Sequence, residues 1–381
     1  MKALLIFPIL KDLNPADGIL VKNEGIRKGF LQNGIQIDVL EFTSAGVFNG
    51  DERIASFSAN KWQRIIQYNT AAWKRIGEFV ERNNYDLIWF RMPLLQPWIT
   101  SFIKQVKERK PGCRIVLEYG AYPFENELSG AKKWQYRLFR TSYKLAHHFA
   151  DRVITYSGQK DVDGVPNIPI NNGIDVDSIP VVRSSFKDGG VLHCISVSSV
   201  KKWHAYERFI SGMAEFRSGK IVFHVVGDGP DLQKLKELAK QNSLEEKVIF
   251  HGFKTGAALD EIYNQSHLAI GTLGFHRIGL TNSSSLKNRE YFARGLPIML
   301  STPDLDMPAS LPFVNYVPGD ESTIDISDIM RFAKQVYQSP NLNQQIRAYA
   351  EQHLSWKSKV ADVLAHLQIK TSGATAALQS S

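Results

Sequence analysis

Residues 225–253 read VVGDGPDLQKLKELAKQNSLEEKVIFHGF. The two valines end an apolar run. Gly227-Asp228-Gly229-Pro230 then turns the chain and sets a proline at the first helical position, where its missing N–H is no loss. An amphipathic helix over 230–242 and a polar loop follow, and an apolar strand closes at His251-Gly252-Phe253. Strand, helix, strand in this order is a crossover unit of a parallel sheet.

The alternation continues in both directions. Around this unit, strands are expected at 192–198, 220–227, 247–253, 267–273 and 297–302. Helices fall at 205–217, 257–265, 285–294, 325–338, 341–352 and 357–368. A second series fills the first half, with strands at 3–9, 35–42, 86–92, 113–120, 152–157 and 169–173. Its helices are at 20–33, 60–83, 95–109 and 131–149. Such strands build parallel sheets with helices on both faces. The fold class is therefore α/β, with two Rossmann-like domains joined through the polar stretch 176–190 (VDSIPVVRSSFKDGG). The expected domains are 1–180 and 181–355, then a closing helix over 356–369 and a structureless tail over 370–381. Open sheets of this kind bind ligands beyond the carboxyl ends of their strands, so the chemistry is expected in a cleft between the two domains.

At 381 residues, 43% hydrophobic and 22% charged, the composition is that of a two-domain globular chain. No run reaches the roughly 20 apolar residues of a membrane span. The first residues, MKALLIFPILKDLNP, lack a long apolar segment and a small-residue cleavage site, and read as a first strand. Two distant cysteines, Cys113 and Cys194, fit a reduced, cytoplasmic setting and offer no metal-ligand spacing. The net charge of +8 sits in the first half: residues 1–160 hold 24 Lys and Arg against 15 Asp and Glu, and the remainder 22 against 23. An anionic surface would meet that half, and a membrane is the candidate because no nucleic-acid-binding signature accompanies the charge.

Function is concentrated in residues 279–300, GLTNSSSLKNREYFARGLPIML. Ser283, Ser284 and Ser285 precede a short helix, which ends at Gly295 before Pro297 opens a strand. A helix start offers unpaired amides and a partial positive charge, which suits phosphate. One turn on, Glu290 can accept hydrogen bonds from hydroxyls, as a ribose requires. Phosphate beside ribose describes a nucleotide-diphosphate pocket; the plainer alternative is a capped helix with an exposed glutamate.

Taken in order, GDGP, VIFHGF and REYFARGLP resemble the donor half of a GT-B glycosyltransferase. More narrowly, they resemble the large retaining family of nucleotide-sugar-dependent transferases (glycosyl transferases group 1, family 4-like). NNGID at 171–175 is similar to the family's interdomain segment, and SWKSKVADVLAHL at 355–367 to the closing helix that returns to the first domain. EYGAYPFENE at 118–127 looks like a segment of capsular and exopolysaccharide transferases.

The resemblance implies roles. Glu290 stands at the second Glu of a Glu-x7-Glu motif and would hold the ribose. Ser284, Ser285 and Leu286 form the helix start that would hold the donor phosphate. Gly252 and Phe253 would meet the nucleobase, Gly18 lies in a loop (Pro15–Leu20) that would approach the donor, and Gly227 and Gly229 would flank the pocket. Asn282 replaces the motif's first Glu and would contact the sugar without a charge. The family's Arg and Lys after the first donor-domain strand are missing, with Ser199 and His204 nearest; Lys201, Lys202 or Lys287 would supply the cation for the leaving group. Where a His is common near the sugar, Glu118 and Tyr119 stand instead. Glu118, Glu125 and Glu127 are the carboxylates to consider as base or sugar contact, against the alternative of solvated loop acids.

The expected activity is transfer of a sugar from a nucleotide sugar to a glycan or lipid-linked glycan, with retention carried over from the family alone. No cofactor is expected. No metal is either, since Asp304-Leu305-Asp306 reads as a loop. The alternatives are a non-catalytic binding or scaffold subunit of the same fold, or a nucleotide-sugar epimerase. Finally, residues 131–149 (AKKWQYRLFRTSYKLAHHF) carry Lys133, Arg137, Arg140 and Lys144 as one stripe beside Trp134, Leu138, Leu145 and Phe149. The expectation is an apolar stripe turned to the core; the alternative is an interfacial helix lying on anionic lipid.

Overall fold

The structure, a computed structural model, describes residues 1–13, 18–92, 98–120, 130–156, 158–216 and 220–369. The tail expected over 370–381 lies outside them. The chain forms two compact units, Met1–Asn171 with Trp356 onward, and Asn172–Ser355. Among the described residues no helix is long and apolar enough to cross a membrane.

The first unit holds a seven-stranded sheet. β1 (Lys2–Leu10) and β2 (Gln36–Thr43) are parallel. β3 (Gly46–Asn49) and β4 (Glu52–Ser56) then add antiparallel pairings at the edge. This hairpin is missing from the strands expected above, although Gly50-Asp51 between them is a two-residue loop with glycine at its first position, at φ +58°. α2 (Lys61–Asn69) and α3 (Ala71–Arg82) replace the single helix expected over 60–83, because Thr70 leaves helical geometry at φ −129° and ψ −79°. β5 (Leu87–Arg91), α4 (Trp98–Arg109), β6 (Arg114–Tyr119), α5 (Gly130–His148) and β7 (Arg152–Thr155) continue the parallel series. The helix following β1, α1, spans Gly18–Gln32.

Trp73, Phe79, Phe90, Phe102 and Tyr119 lead the core between the sheet and α3, α4 and α5. α5 turns Tyr136, Phe139 and Ala146 toward that core, and Phe149 joins them just past the helix end. Trp134, Leu138 and Leu145 are instead exposed, so the expected core-facing stripe holds only for Phe149. The reason is phase: 139 and 146 are one heptad apart and take the buried side, which leaves 134, 138 and 145 outside it.

No strand forms at 169–173; before it the short β8 (Asp161–Val162) and β9 (Val165–Pro166) pair, and isolated bridges join Asn167 to Val153 and Ile174 to Ser355. Beyond β9 Asn172 is drawn to the second unit, its amide bonding the Ser284 hydroxyl and its Nδ2 the Ser284 carbonyl, both at 2.8 Å. The second unit begins at Asn172.

The second unit is a six-stranded parallel sheet ordered β12-β11-β10-β13-β14-β15. Its strands are β10 (Leu192–Val197), β11 (Ile221–Val226), β12 (Val248–Gly252), β13 (Leu268–Ile270), β14 (Ile298–Leu300) and β15 (Val314–Tyr316), the last not expected. α6 (Tyr206–Glu215), α7 (Leu232–Gln241) and α10 (Ile326–Val336) cover one face. α8 (Gly256–Gln265), α9 (Leu286–Ala293) and α11 (Leu342–Tyr349) cover the other. Three histidines stack across the strands: His193 and His224 are 5.2 Å apart between ring centroids, as are His224 and His251. Nitrogen pairs at 2.9 Å link each to the next. Burial and the neighbouring imidazoles lower His224 to about 4, and burial with His193 lowers His267 to about 4.

The chain ends by rejoining the first unit. α12 (Trp356–His366) contributes Trp356, Val360, Val363 and Leu364 to the core beneath α1. Gly25 and Gly29 permit this approach, since a Cβ on either would stand within 2.5 Å of Trp356.

Candidate functional site

In the second unit the strand order reverses between β10 and β13, one leading outward to β11 and β12 and the other to β14 and β15. At such a switch point the loops leaving neighbouring strands part and open a crevice beyond the carboxyl ends. The loop after β10 leads to Tyr206, the first residue of α6, whose hydroxyl is a meeting point. Ser196 donates to it, Ser198 lies 3.0 Å away, and Lys287 Nζ donates to it at 3.1 Å. His204 stacks on the Tyr206 ring at 5.3 Å. Burial, then the charges of Lys287 and Lys201, press His204 down to about 3, so it stays neutral and accepts the Lys201 amide at 3.0 Å. Burial also pulls the Lys287 ammonium below the ordinary lysine value, with Tyr206 opposing.

α9 begins one residue after Ser285, which is extended at φ −70° and ψ 131° and makes no side-chain cap. As first helical positions, Leu286 and Lys287 have amides without intrahelical acceptors, and no turn hydrogen bond takes them up. Three polar atoms around this start, Ser283 Oγ, Asn172 Oδ1 and Asn288 Oδ1, are buried with no hydrogen-bond partner. Buried polar atoms are nearly always satisfied, so this cluster is a place where water or a ligand is expected. Arg289 fixes the loop that faces it. Its buried guanidinium pairs with both oxygens of Asp304, with Asp306 at 2.9 Å, and through Nε with the Asn172 carbonyl at 3.1 Å. The carboxylates of the 304–306 loop are thus engaged by Arg289.

Glu290 lies one turn into α9 with its side chain 29% exposed. Arg294 Nε grips Oε1 at 3.0 Å, while Arg294 itself reaches Asp260 at 2.7 Å and lies 3.9 Å over the Tyr263 ring. The carboxylate is therefore held in place, neither buried nor loose in solvent.

The other expected residues are more scattered. Ser284 is committed to Asn172, and Asn282 is exposed. Lys201 lies with its Nζ 4.9 Å from the Trp203 ring. Lys202 points into a groove of about 790 Å³ lined by Trp203, Asp231, Lys234, Arg277 and Ile278, which includes none of Ser285, Lys287 or Glu290. Gly252, at φ +66° in open space, and the exposed Phe253 end the edge strand β12, two strand spacings or roughly 10 Å from β10. Gly227 and Gly229 do not border open space: a Cβ on them would stand 2.0 Å from the Ser198 carbonyl oxygen and 2.1 Å from that of Val200. Their loop instead supports the chain leading to Lys201. Among these neighbours, sequence reasoning missed Tyr206, Ser196, Ser198, Asn172, Asn288 and Arg289; the one local signal was three polar residues, Ser196, Ser198 and Ser199, at the end of an apolar strand.

In the first unit, Gly18 is the first residue of α1, and Glu125 and Glu127 lie outside the described residues. Glu118 was expected as a base or sugar contact, against the alternative of a solvated loop acid, and it is not solvated. It is fully buried at the end of β6, paired with Lys22 at 3.1 Å and Arg91 at 3.6 Å, and accepting from Trp89 and Tyr156 at 2.9 Å each. Burial alone would raise its pKa, but the two cations and these donors win and hold it at about 2; desolvation lowers Lys22 to about 8. A carboxylate spent on four partners inside the fold is not available as a base in this arrangement. Tyr119, beside it, is buried against His147.

Residues 182–304 match the profile of the family described as Glycosyl transferases group 1. No curated protein matches the chain in sequence. Among solved structures the chain is similar to the sucrose-phosphate synthase of Thermosynechococcus elongatus, with TM-score 0.60 and 14% identity over 97% of this chain and 99% of that one. It is also similar to the lipopolysaccharide outer core galactosyltransferase WaaB (0.58, 13%, covering 96% and 100%). A third is HepE of Anabaena in complex with UDP and glucose (0.52, 15%, covering 96% and 100%). At such identities the likeness establishes the fold: α/β, with parallel-sheet Rossmann-like domains, as in GT-B transferases. The group 1 match thus lies within the second unit, and together with the fold it supports a glycosyltransferase.

Proposed function

We propose that the protein moves a sugar from a nucleotide-diphosphate sugar to a glycan or lipid-linked glycan acceptor in polysaccharide biosynthesis. The observation that carries this reading is the start of α9, where two amides are unclaimed and three nearby side chains leave buried polar atoms without partners, with Lys287 at the second helical position and Glu290 a turn further on. Breaking the bond from sugar to phosphate leaves negative charge on the diphosphate. The helix start and the Lys287 ammonium, steadied by Tyr206, meet that charge as it grows. Glu290 accepts hydrogen bonds from the ribose, and the end of β12 at Gly252 and Phe253 borders the base. Lys201 is the further cation, since Lys202 lines the separate groove, and Asn282 is a neutral contact to the sugar. No cofactor or metal enters this reading, because amides and ammonium supply the positive charge. Retention is carried over from the family resemblance alone.

The test is a thermal-shift and calorimetric panel of nucleoside diphosphates and their sugars. UDP comes first, since the Anabaena relative was solved with it. One diphosphate should raise the melting temperature. Glu290→Ala should weaken its binding roughly tenfold to a hundredfold, the range of a charge-assisted hydrogen bond, without changing the melting temperature of the free protein. A panel without any shift sinks the reading. The replacement of the family's cations by Ser199 and the neutral His204 favours one second reading, a binder without turnover. Release of nucleotide from the bound donor, with acceptor omitted, separates the two.

A further inference from the structure

We infer that the carboxyl-end rim of the first unit is a lipid-facing surface that seats the protein on an anionic bilayer. The inference rests on the reading above, in that it gives a lipid-linked acceptor its place of entry.

Strand directions locate the rim. β1, β5 and β6 are parallel, and two successive antiparallel pairings bring β4 back into the same sense. The helices that follow these strands therefore begin at one edge of the sheet. α2 follows β4 and stays there, because the Tyr68 hydroxyl donates to the Pro8 carbonyl, near the end of β1, at 2.6 Å. Trp62 is the second residue of α2, Trp98 the first of α4, and Trp134 lies in the first turns of α5. All three are largely out of the core, 75%, 48% and 67% exposed. α2 has no buried residue at all, and Ile65 and Ile66 are exposed beside Trp62. On α5, Leu138 is exposed one turn after Trp134.

Three tryptophans and three aliphatic side chains along one rim require a partner. Charge identifies it. α2 carries Lys61 and Arg64, α5 carries Lys133, Arg137 and Arg140, and neither helix contains an Asp or Glu. Tryptophan with aliphatic residues on one side and cations beside them is the composition of helices that lie in the headgroup region of an anionic leaflet. A glycan would stack on the tryptophans but has no use for Ile65, Ile66 and Leu138.

The test uses the full chain and sedimentation with vesicles of phosphatidylcholine alone or mixed with phosphatidylglycerol. Binding is expected to the mixed vesicles only, and to be released by salt. Two variants, Trp62→Ala with Ile66→Ala and Trp134→Ala with Leu138→Ala, should each reduce vesicle affinity at least tenfold while their nucleotide-induced thermal shift stays that of wild type. No binding to the anionic vesicles at low salt overturns the inference, and so does undiminished binding by both variants. Self-association of wild type without lipid that both variants abolish also overturns it, making the rim a contact between copies. A nucleotide shift retained without vesicle binding rejects only this inference. Vesicle binding without any nucleotide response rejects the transferase reading and leaves the rim.

Discussion

Arg289 shows best what a single side chain does in the second unit. Fully buried, it joins the start of α9 to Asp304 and Asp306, fifteen and seventeen residues further along. Removing one partner of a buried pair strands the other charge, which costs about 3–5 kcal/mol. Arg289→Leu is therefore expected to lower the unfolding free energy by that amount in urea titration; a loss under 1 kcal/mol would mean the pair is dispensable. Ser285, Lys287 and Glu290 were legible in the sequence because a helix start, its cation and its carboxylate follow within one turn of each other. Arg289 was not, because its meaning depends on acids in a separate loop. The burial of Glu118 was not legible for a related reason. The residue stood out as an acid, but its partners come from α1, β5 and the stretch after β7, and only the lone charge inside IVLEYG hinted at burial.

Elements were legible where apolar runs are long. The parallel strands and their crossover helices declare themselves by run and period, and the structure moves their ends by a residue or a few. The hairpin of β3 and β4 went unseen because four- and five-residue strands give little alternation, even around Gly50-Asp51. β15 has three residues and gives less. The histidine ladder on β10, β11 and β12 is also an element-level property, since each ring is one residue of an ordinary strand. Burial keeps His224 and His267 neutral in the fold, down to about 4, whereas in an unfolded chain they protonate near 6.5. Between those values the unfolded state binds more protons, so the stability these residues contribute is complete above pH 6.5 and is lost as pH falls toward 4. The melting temperature should accordingly drop between pH 7 and pH 5, and His224→Gln should flatten that slope. An identical slope in the variant would assign the acid sensitivity elsewhere.

The two units, at the scale of the whole molecule, differ in how the chain supplies them. The second is continuous, from Asn172 to Ser355, and has its own sheet and two helical layers. The first is discontinuous, since the core under α1 includes Trp356, Val360, Val363 and Leu364. A fragment of residues 172–355 is therefore expected to unfold cooperatively on its own, with a sharp thermal transition. A fragment of residues 1–171 should expose the surface that α12 covers and bind a hydrophobic dye; a cooperative melt in that shorter piece would show α12 to be an accessory. The return of α12 also sets an order of manufacture. The ribosome makes the first sheet early but releases its last covering helix only after every strand of the other unit has emerged. The half of the protein that is begun first is finished last, and until then the notch at Gly25 and Gly29 stands open on the growing chain.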